Sequence, residues 1–296
     1  LCDGLSDTLI ARLSYSSDIQ VMPRSASFVY KGKSLTPQQA GSELKADLVL
    51  TGKLTKQADD VEITVEAIDV VTGARVWGFS YRGKEPDVVF LQRKMSDNVA
   101  EKLGVSNTQQ IAAKSFTQNA EAFEHYLKGE YHRQKGTPED IRRSIEFYKK
   151  AIELDANYAL AYQGLSLAYR MAPAYGAYLP RDSYPMAKEA ALKALAIDPQ
   201  LGSAHIPLAS IKFVYDWDFA GAEAEYKRAI QLVPNNSEAH YSYGNFLVAM
   251  ERHDEAITEL RIAQQFDPLS LTISSNIAWA LYVAGRFDEA EAQAKL

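Results

Sequence analysis

The chain has 296 residues, of which 24% are charged and 47% hydrophobic, ordinary fractions for a globular protein and a length that suits about two domains. Its net charge of −6 is carried by 13 basic and 14 acidic residues in 1–106 and by 19 and 24 in 107–296; neither half is basic, which argues against nucleic acid or an anionic membrane surface as the main partner. One cysteine, Cys2, leaves no partner for an internal disulfide or a cysteine-built zinc site, and no apolar run reaches the length of about 18 residues that spans a bilayer.

In chain order, Leu5, Leu9, Ile10 and Leu13 recur at helical spacing and predict a first helix. Ile19-Gln20-Val21-Met22 reads as a short strand. Thr36 before Pro37 predicts the N-cap and first turn of a second helix leading to Leu44. Leu48-Val49-Leu50 reads as a buried strand. From Asp60 to Ile68 the residues alternate, with Val61, Ile63, Val65 and Ala67 on one face and Glu62, Thr64 and Glu66 on the other, as in a strand with one wet face. Asp69 to Gly73 predicts a turn, Arg75 to Tyr81 the next strand, and Val88 to Leu103 a closing helix. This order predicts a small α/β (α+β) layer domain over residues 1–106. A parallel part of its sheet calls for one more strand before Leu5. Residues 107–119 read as a polar linker.

From residue 120 to 296 the pattern is all helix, and it repeats. Pro199, Pro234 and Pro268 stand 35 and 34 residues apart. The preceding equivalent, Ala156, is 43 residues before Pro199, and the surplus fits a loop from Pro173 to Pro180. Counting the third residue after each proline, or after Ala156, as position 1, and discounting the one extra residue of the 35-residue interval and the nine of the 43-residue interval, Ala187, Ala222, Ala256 and Ala290 share position 20. Ala194, Ala229 and Ala263 share position 27, and Ser166, Ala209, Gly244 and Ala278 share position 8. Small side chains at these places let paired helices pack near the close end of the usual separation of about 8–10 Å. Four hairpins and a truncated fifth, Leu271 to Leu296, follow from this count; the first spans Ala120 to Asp155 and keeps Gly129, Tyr148 and Ala151.

A period near 34 residues with the motif Ala-x-x-x-Tyr/Leu-x-x-Ala-x-x-x-x-Pro resembles the tetratricopeptide repeat (TPR) family. The resemblance implies an all-α, right-handed solenoid whose first helices line a concave groove for a peptide or protein. The first segment resembles the TolB-like N-terminal domain that is fused to such arrays in bacterial signalling proteins. The matching stretches are Asp3-Gly4-Leu5-Ser6-Asp7-x-Leu9-Ile10, Arg24-Ser25-x-Ser27-Phe28, Lys31-Gly32-Lys33, Asp47-Leu48-Val49-Leu50-x-Gly52 and Asp69-x-x-Thr72-Gly73-x-x-x-Trp77. In those fusions the upstream module is a nucleotide cyclase, a Ser/Thr kinase or a winged-helix regulator. A membrane helix ahead of residue 1 would place the chain outside the cytoplasm, in the periplasm; without one it is cytoplasmic.

The resemblance also implies groove-facing positions. They include Gln163, Leu167 and Arg170; Ile206, Ser210 and Phe213; Tyr241, Asn245 and Val248; and Ser275, Asn276, Trp279 and Tyr282. Asn245 and Asn276 match part of the pattern by which such arrays hold a peptide backbone, since a side-chain amide both donates and accepts. Position 5 is Tyr241 and not Lys, so a clamp for a free C-terminal carboxylate lacks its charged member.

Motifs for chemistry are missing. The five histidines have no metal-ligand spacing, and His205 and His240 share position 4, a packing position. No phosphate-binding glycine loop and no nucleophile elbow occurs. The compact basic group of Arg24, Lys31 and Lys33 reads as a solvated turn, and Asn235-Asn236-Ser237 is a formal glycosylation acceptor. Tyr175, Tyr178 and Tyr184 gather around the inserted loop, as hairpin packing or a recognition surface. The expectation is a scaffold without catalytic residue, metal or cofactor. It binds protein or peptide as the sensory or regulatory part of a larger protein; the alternative is the regulatory region of a chain whose upstream domain is one of the modules above.

Overall fold

Leu5, Leu9 and Leu13 lie on one face of α1 (Cys2–Leu13) and are buried in the core of the N-terminal module. The structure, a computed structural model, describes residues 2–14, 16, 19–84, 88–105 and 117–295; the expected linker lies outside these up to residue 116. After α1 the strand expected at Ile19–Met22 does not form. Ile19 and Val21 are half-buried against the core and Gln20 is exposed, but Met22 is half-buried too, and no strand pairs with this segment among the described residues. A short helix, α2 (Arg24–Ser27), and a 3-10 turn (Phe28–Tyr30) follow.

Helix α3 (Pro37–Glu43) starts as the sequence requires. Thr36 accepts from the Gln39 amide at 3.2 Å, and the Gln39 side chain accepts from the Thr36 amide at 2.9 Å, a reciprocal cap behind Pro37. Three strands form one antiparallel sheet in the order β1 (Leu48–Gln57), β2 (Asp60–Asp69), β3 (Arg75–Lys84). Val61, Ile63, Val65 and Ala67 of β2 are buried, as their alternation predicts. The β2–β3 turn needs Gly73, whose φ is +70°, and is tied by Asp69 accepting from the Thr72 amide at 2.7 Å. One expectation fails here: Leu48, Val49 and Leu50 are half-buried and not buried, because among the described strands β1 has a single neighbour; the described strands pair only antiparallel. Helix α4 (Val88–Lys102) buries Leu91, Met95 and Val99 and packs against β2 and β3.

Among the described residues the remaining helices pair as five hairpins: α5 (Ala120–Lys135) with α6 (Pro138–Leu154), α7 (Ala159–Met171) with α8 (Pro180–Ile197), α9 (Gly202–Ile211) with α10 (Phe219–Leu232), α11 (Ser237–Ala249) with α12 (His253–Phe266), and α13 (Leu271–Val283) with α14 (Phe287–Ala294). The position-20 and position-27 alanines are all buried. At position 8, Ser166 donates to the Ala187 carbonyl at 2.8 Å, and a Cβ on Gly244 would lie 2.7 Å from Leu260 Cγ; Ala278, at the end of the array, is half-buried. The fully buried Tyr148 ring wedges between the first two hairpins: a Cβ on Gly129 or Gly164 would come within 2.6 or 2.5 Å of its Cε1. Each hairpin buries its apolar face only by stacking on the next.

The surplus of the second hairpin is the loop 172–179 between α7 and α8, as its Pro, Gly and Tyr content predicts. Helix α9 continues as a π-helical turn, Lys212–Asp216, closed by Trp217 at φ +59° and by Asp218, which caps the Gly221 amide at 2.9 Å. The module and the array share one continuous apolar core: Leu5, Leu9 and Leu13 belong to the same cluster as Phe123, Tyr126 and Leu127.

Candidate peptide-binding groove

The first helices of the hairpins carry the expected groove residues, and the structure sorts them into two groups. Gln163, Ile206 and Ser210 are buried. Ile206 is only 3% exposed and packs with Ala229 and Ala239 of the neighbouring helices; the Ser210 hydroxyl is bonded to the Ile206 carbonyl and to Tyr226, both at 3.1 Å. These three side chains are turned into the packed interior, which sets them apart from the exposed positions of the same helices.

The second group lies toward the C-terminal end. Arg170, near the end of α7, reaches Glu238 of α11 with Nη2 3.7 Å from Oε1. Its Nε is buried with no acceptor among the described residues, a costly state for a guanidinium donor. Tyr241 stands next to them. Its hydroxyl accepts from Asn276 Nδ2 at 3.4 Å, with the Asn245 amide beside it. Burial pushes the Tyr241 phenol up from its usual range, while those two amides and the Arg170 charge pull it back. Asn276 also donates to the Thr272 carbonyl at 2.9 Å. Both donors of Asn276 are thus engaged inside the array, by Tyr241 and by Thr272.

Beyond this polar row, Trp279 and Tyr282 of α13 stack at 5.8 Å with 24° between planes and stay 56% and 55% exposed. Phe287 of α14 meets Tyr282 edge-on at 5.5 Å. Phe213, on the π-helical turn, is half-buried edge-on to Phe246 at 5.3 Å. Several rings are exposed on this molecule, Trp217, Phe90 and Tyr131 among them, but Trp279, Tyr282 and Phe287 are exposed as one contiguous group, the arrangement that suits a recognition surface. The sequence reading missed Glu238, whose signal was an acidic residue at position 2 of an otherwise neutral face.

Other polar groups are accounted for structurally. His132, His205 and His240 pair with Asp140, Glu225 and Glu259 at 2.6–2.7 Å and tie the two helices of their hairpins. Arg24 donates to both oxygens of Asp7 at 2.5 Å and lies 3.6 Å over the Phe28 ring, so the basic group around Lys31 and Lys33 is partly neutralised. An open depression at the end of the sheet is lined by paired charges, Glu62 with Arg82 and Asp60 with Lys84. Among the described residues no cluster of His, Cys, Asp and Glu suits a metal ion, and no helix is long and apolar enough to cross a membrane.

Residues 217–270, from the end of the third hairpin's loop through the fourth hairpin, match the tetratricopeptide repeat family. Two curated relatives align with parts of the chain. A putative adenylate cyclase 3 of Rhizobium meliloti (strain 1021) is 33% identical over 107 residues, covering 36% of this chain and 18% of its own. The type IV pilus assembly protein PilF of Pseudomonas aeruginosa is 35% identical over 88 residues, covering 30% and 34%. The chain thus spans between about a fifth and a third of the length of these relatives. Among solved structures, a crystal structure of MamA covers 56% of this chain and 90% of its own at 26% identity, with a TM-score of 0.41.

Proposed function

We propose that this chain is a non-catalytic scaffold that binds a protein or peptide, and that it serves as the sensory or regulatory part of a larger bacterial signalling protein with a TolB-like module ahead of its repeats. The ligand is an extended segment lying along α11 and α13, next to Arg170. The observation that carries this reading is the row of Arg170, Glu238, Tyr241, Asn245 and Asn276 beside the exposed Trp279–Tyr282 stack. The polar row orients a backbone, and the rings contribute contact area at low entropy cost. A benzophenone side chain at the exposed Ser275 should cross-link one discrete partner on irradiation in an extract. The same group at Val71, 88% exposed on the α/β module, serves as control. Identical products from both positions would sink the assignment.

A second reading has one observation in its favour. The match to a putative adenylate cyclase supports a regulatory region whose catalytic domain lies elsewhere on the same chain. Cyclase, kinase and winged-helix modules remain the candidates, and an assay of the full-length protein with and without the cross-linked partner discriminates them.

A further inference from the structure

The segment that was expected to be a strand is held by the array. Asn235, in the turn between α10 and α11, donates its side-chain amide to the carbonyls of Ser16 at 3.2 Å and Ile19 at 2.9 Å. Gln20 donates in return to the Gln265 carbonyl at 3.0 Å, in the last turn of α12. Ser25 donates its hydroxyl to Asp267, at the turn between α12 and α13. These contacts join residues at least 216 positions apart in sequence. They are also the contacts of peptide recognition: amides reading main-chain carbonyls, with one side chain seated on a buried carboxylate.

The receiving surface is built for this. Asn236, not Asn235, caps α11 by accepting from the Ala239 amide at 2.9 Å, so the neighbouring asparagine is free to reach outward. The turn is braced from behind by His240, whose Nε2 lies 2.8 Å from the Pro234 carbonyl while Nδ1 pairs with Glu259. Asp267 is buried, and its second oxygen has no donor among the described residues. The far end of the segment is anchored to α1 through Arg24 and Asp7, and Asp7 accepts in turn from Gln134 of α5 at 3.4 Å.

We propose that the turns between α10 and α11 and between α12 and α13 form a peptide-binding site on the rim of the array, and that residues 19–25 are its resident occupant. The site takes a stretch with a side-chain amide and, five residues on, a hydroxyl in the first turn of a short helix, with the intervening Arg24 turned away to Asp7. A segment of that chemistry from another chain displaces the resident one and releases the α/β module from the third to fifth hairpins.

The test uses the whole chain and a fluorescein-labelled peptide with the sequence of residues 14–28. In Gln20→Ala/Ser25→Ala the resident segment is weakened and the rim is intact: trypsin should cut after Arg24 several-fold faster, and the peptide should bind in trans. In Asn235→Ala/Asp267→Ala cleavage should also accelerate, but the peptide should not bind. Circular dichroism checks that both stay helical, and Asn235→Ala alone replaces the second variant if it does not. Unchanged cleavage in both variants, equal peptide binding to both, or faster cleavage with no capture by the first variant each overturn the proposal.

Discussion

The repeat array and the α/β module bury apolar surface by different routes. In the array most contacts are made with the helix just before or after in sequence, or between the first helices of adjacent hairpins, and small residues recur at equivalent crossings. In the module β1 pairs with β2 and β2 with β3 through local turns, yet its core closes only when α1 and α4 fold back over that sheet and against α5. Removing one array residue should therefore be felt in one interface, while the module depends on contacts that span the chain.

The strongest probe of this contrast is Tyr148→Ala. It empties the wedge between the first two hairpins and should cost about 3–5 kcal/mol in urea unfolding. A cost near zero would mean that the glycine seats do not define the stack. Overpacking is next: Ala256→Leu should cost about 1–3 kcal/mol, and Gly164→Ala should do the same because its new Cβ meets an immobile ring. In the module, Thr36→Ala removes the reciprocal cap of α3 and should cost about 0.5–2 kcal/mol without changing the array's hydrogen-exchange protection.

The smallest effect is a pH dependence. Glu223 is held at about 2 by hydrogen bonds from Lys227 first and Arg252 next, with Tyr243 adding a third, against the opposing effect of burial. A carboxylate lowered in the folded state stabilises at pH values above its ordinary 4.5, and that contribution fades as pH falls toward about 2. Thermal melts should lose stability over that window in the parent chain and lose less of it in Glu223→Gln; equal losses would remove Glu223 from the account.

The array was legible because its geometry repeats: Ala187, Ala222 and Ala256 declare one environment three times. The module's alternating β2 was legible for the same local reason. Ile19–Met22 was not, because alternation reports which side chains face the core and is silent about what the backbone pairs with. The groove was half legible. A position rule finds the face of a helix but not how closely its neighbours stand, and in α9 they close over Ile206 and Ser210. Near the end of the array the same rule finds rings that stay in water.

The most direct test is the affinity of the partner captured through Ser275 for the parent chain and for Trp279→Ala/Tyr282→Ala, measured by titration calorimetry beside a thermal melt. Loss of exposed aromatic anchors worth about 2 kcal/mol or more weakens binding by roughly 30-fold. The account predicts a loss of that order with an unchanged melting temperature; full affinity in the double variant would contradict it.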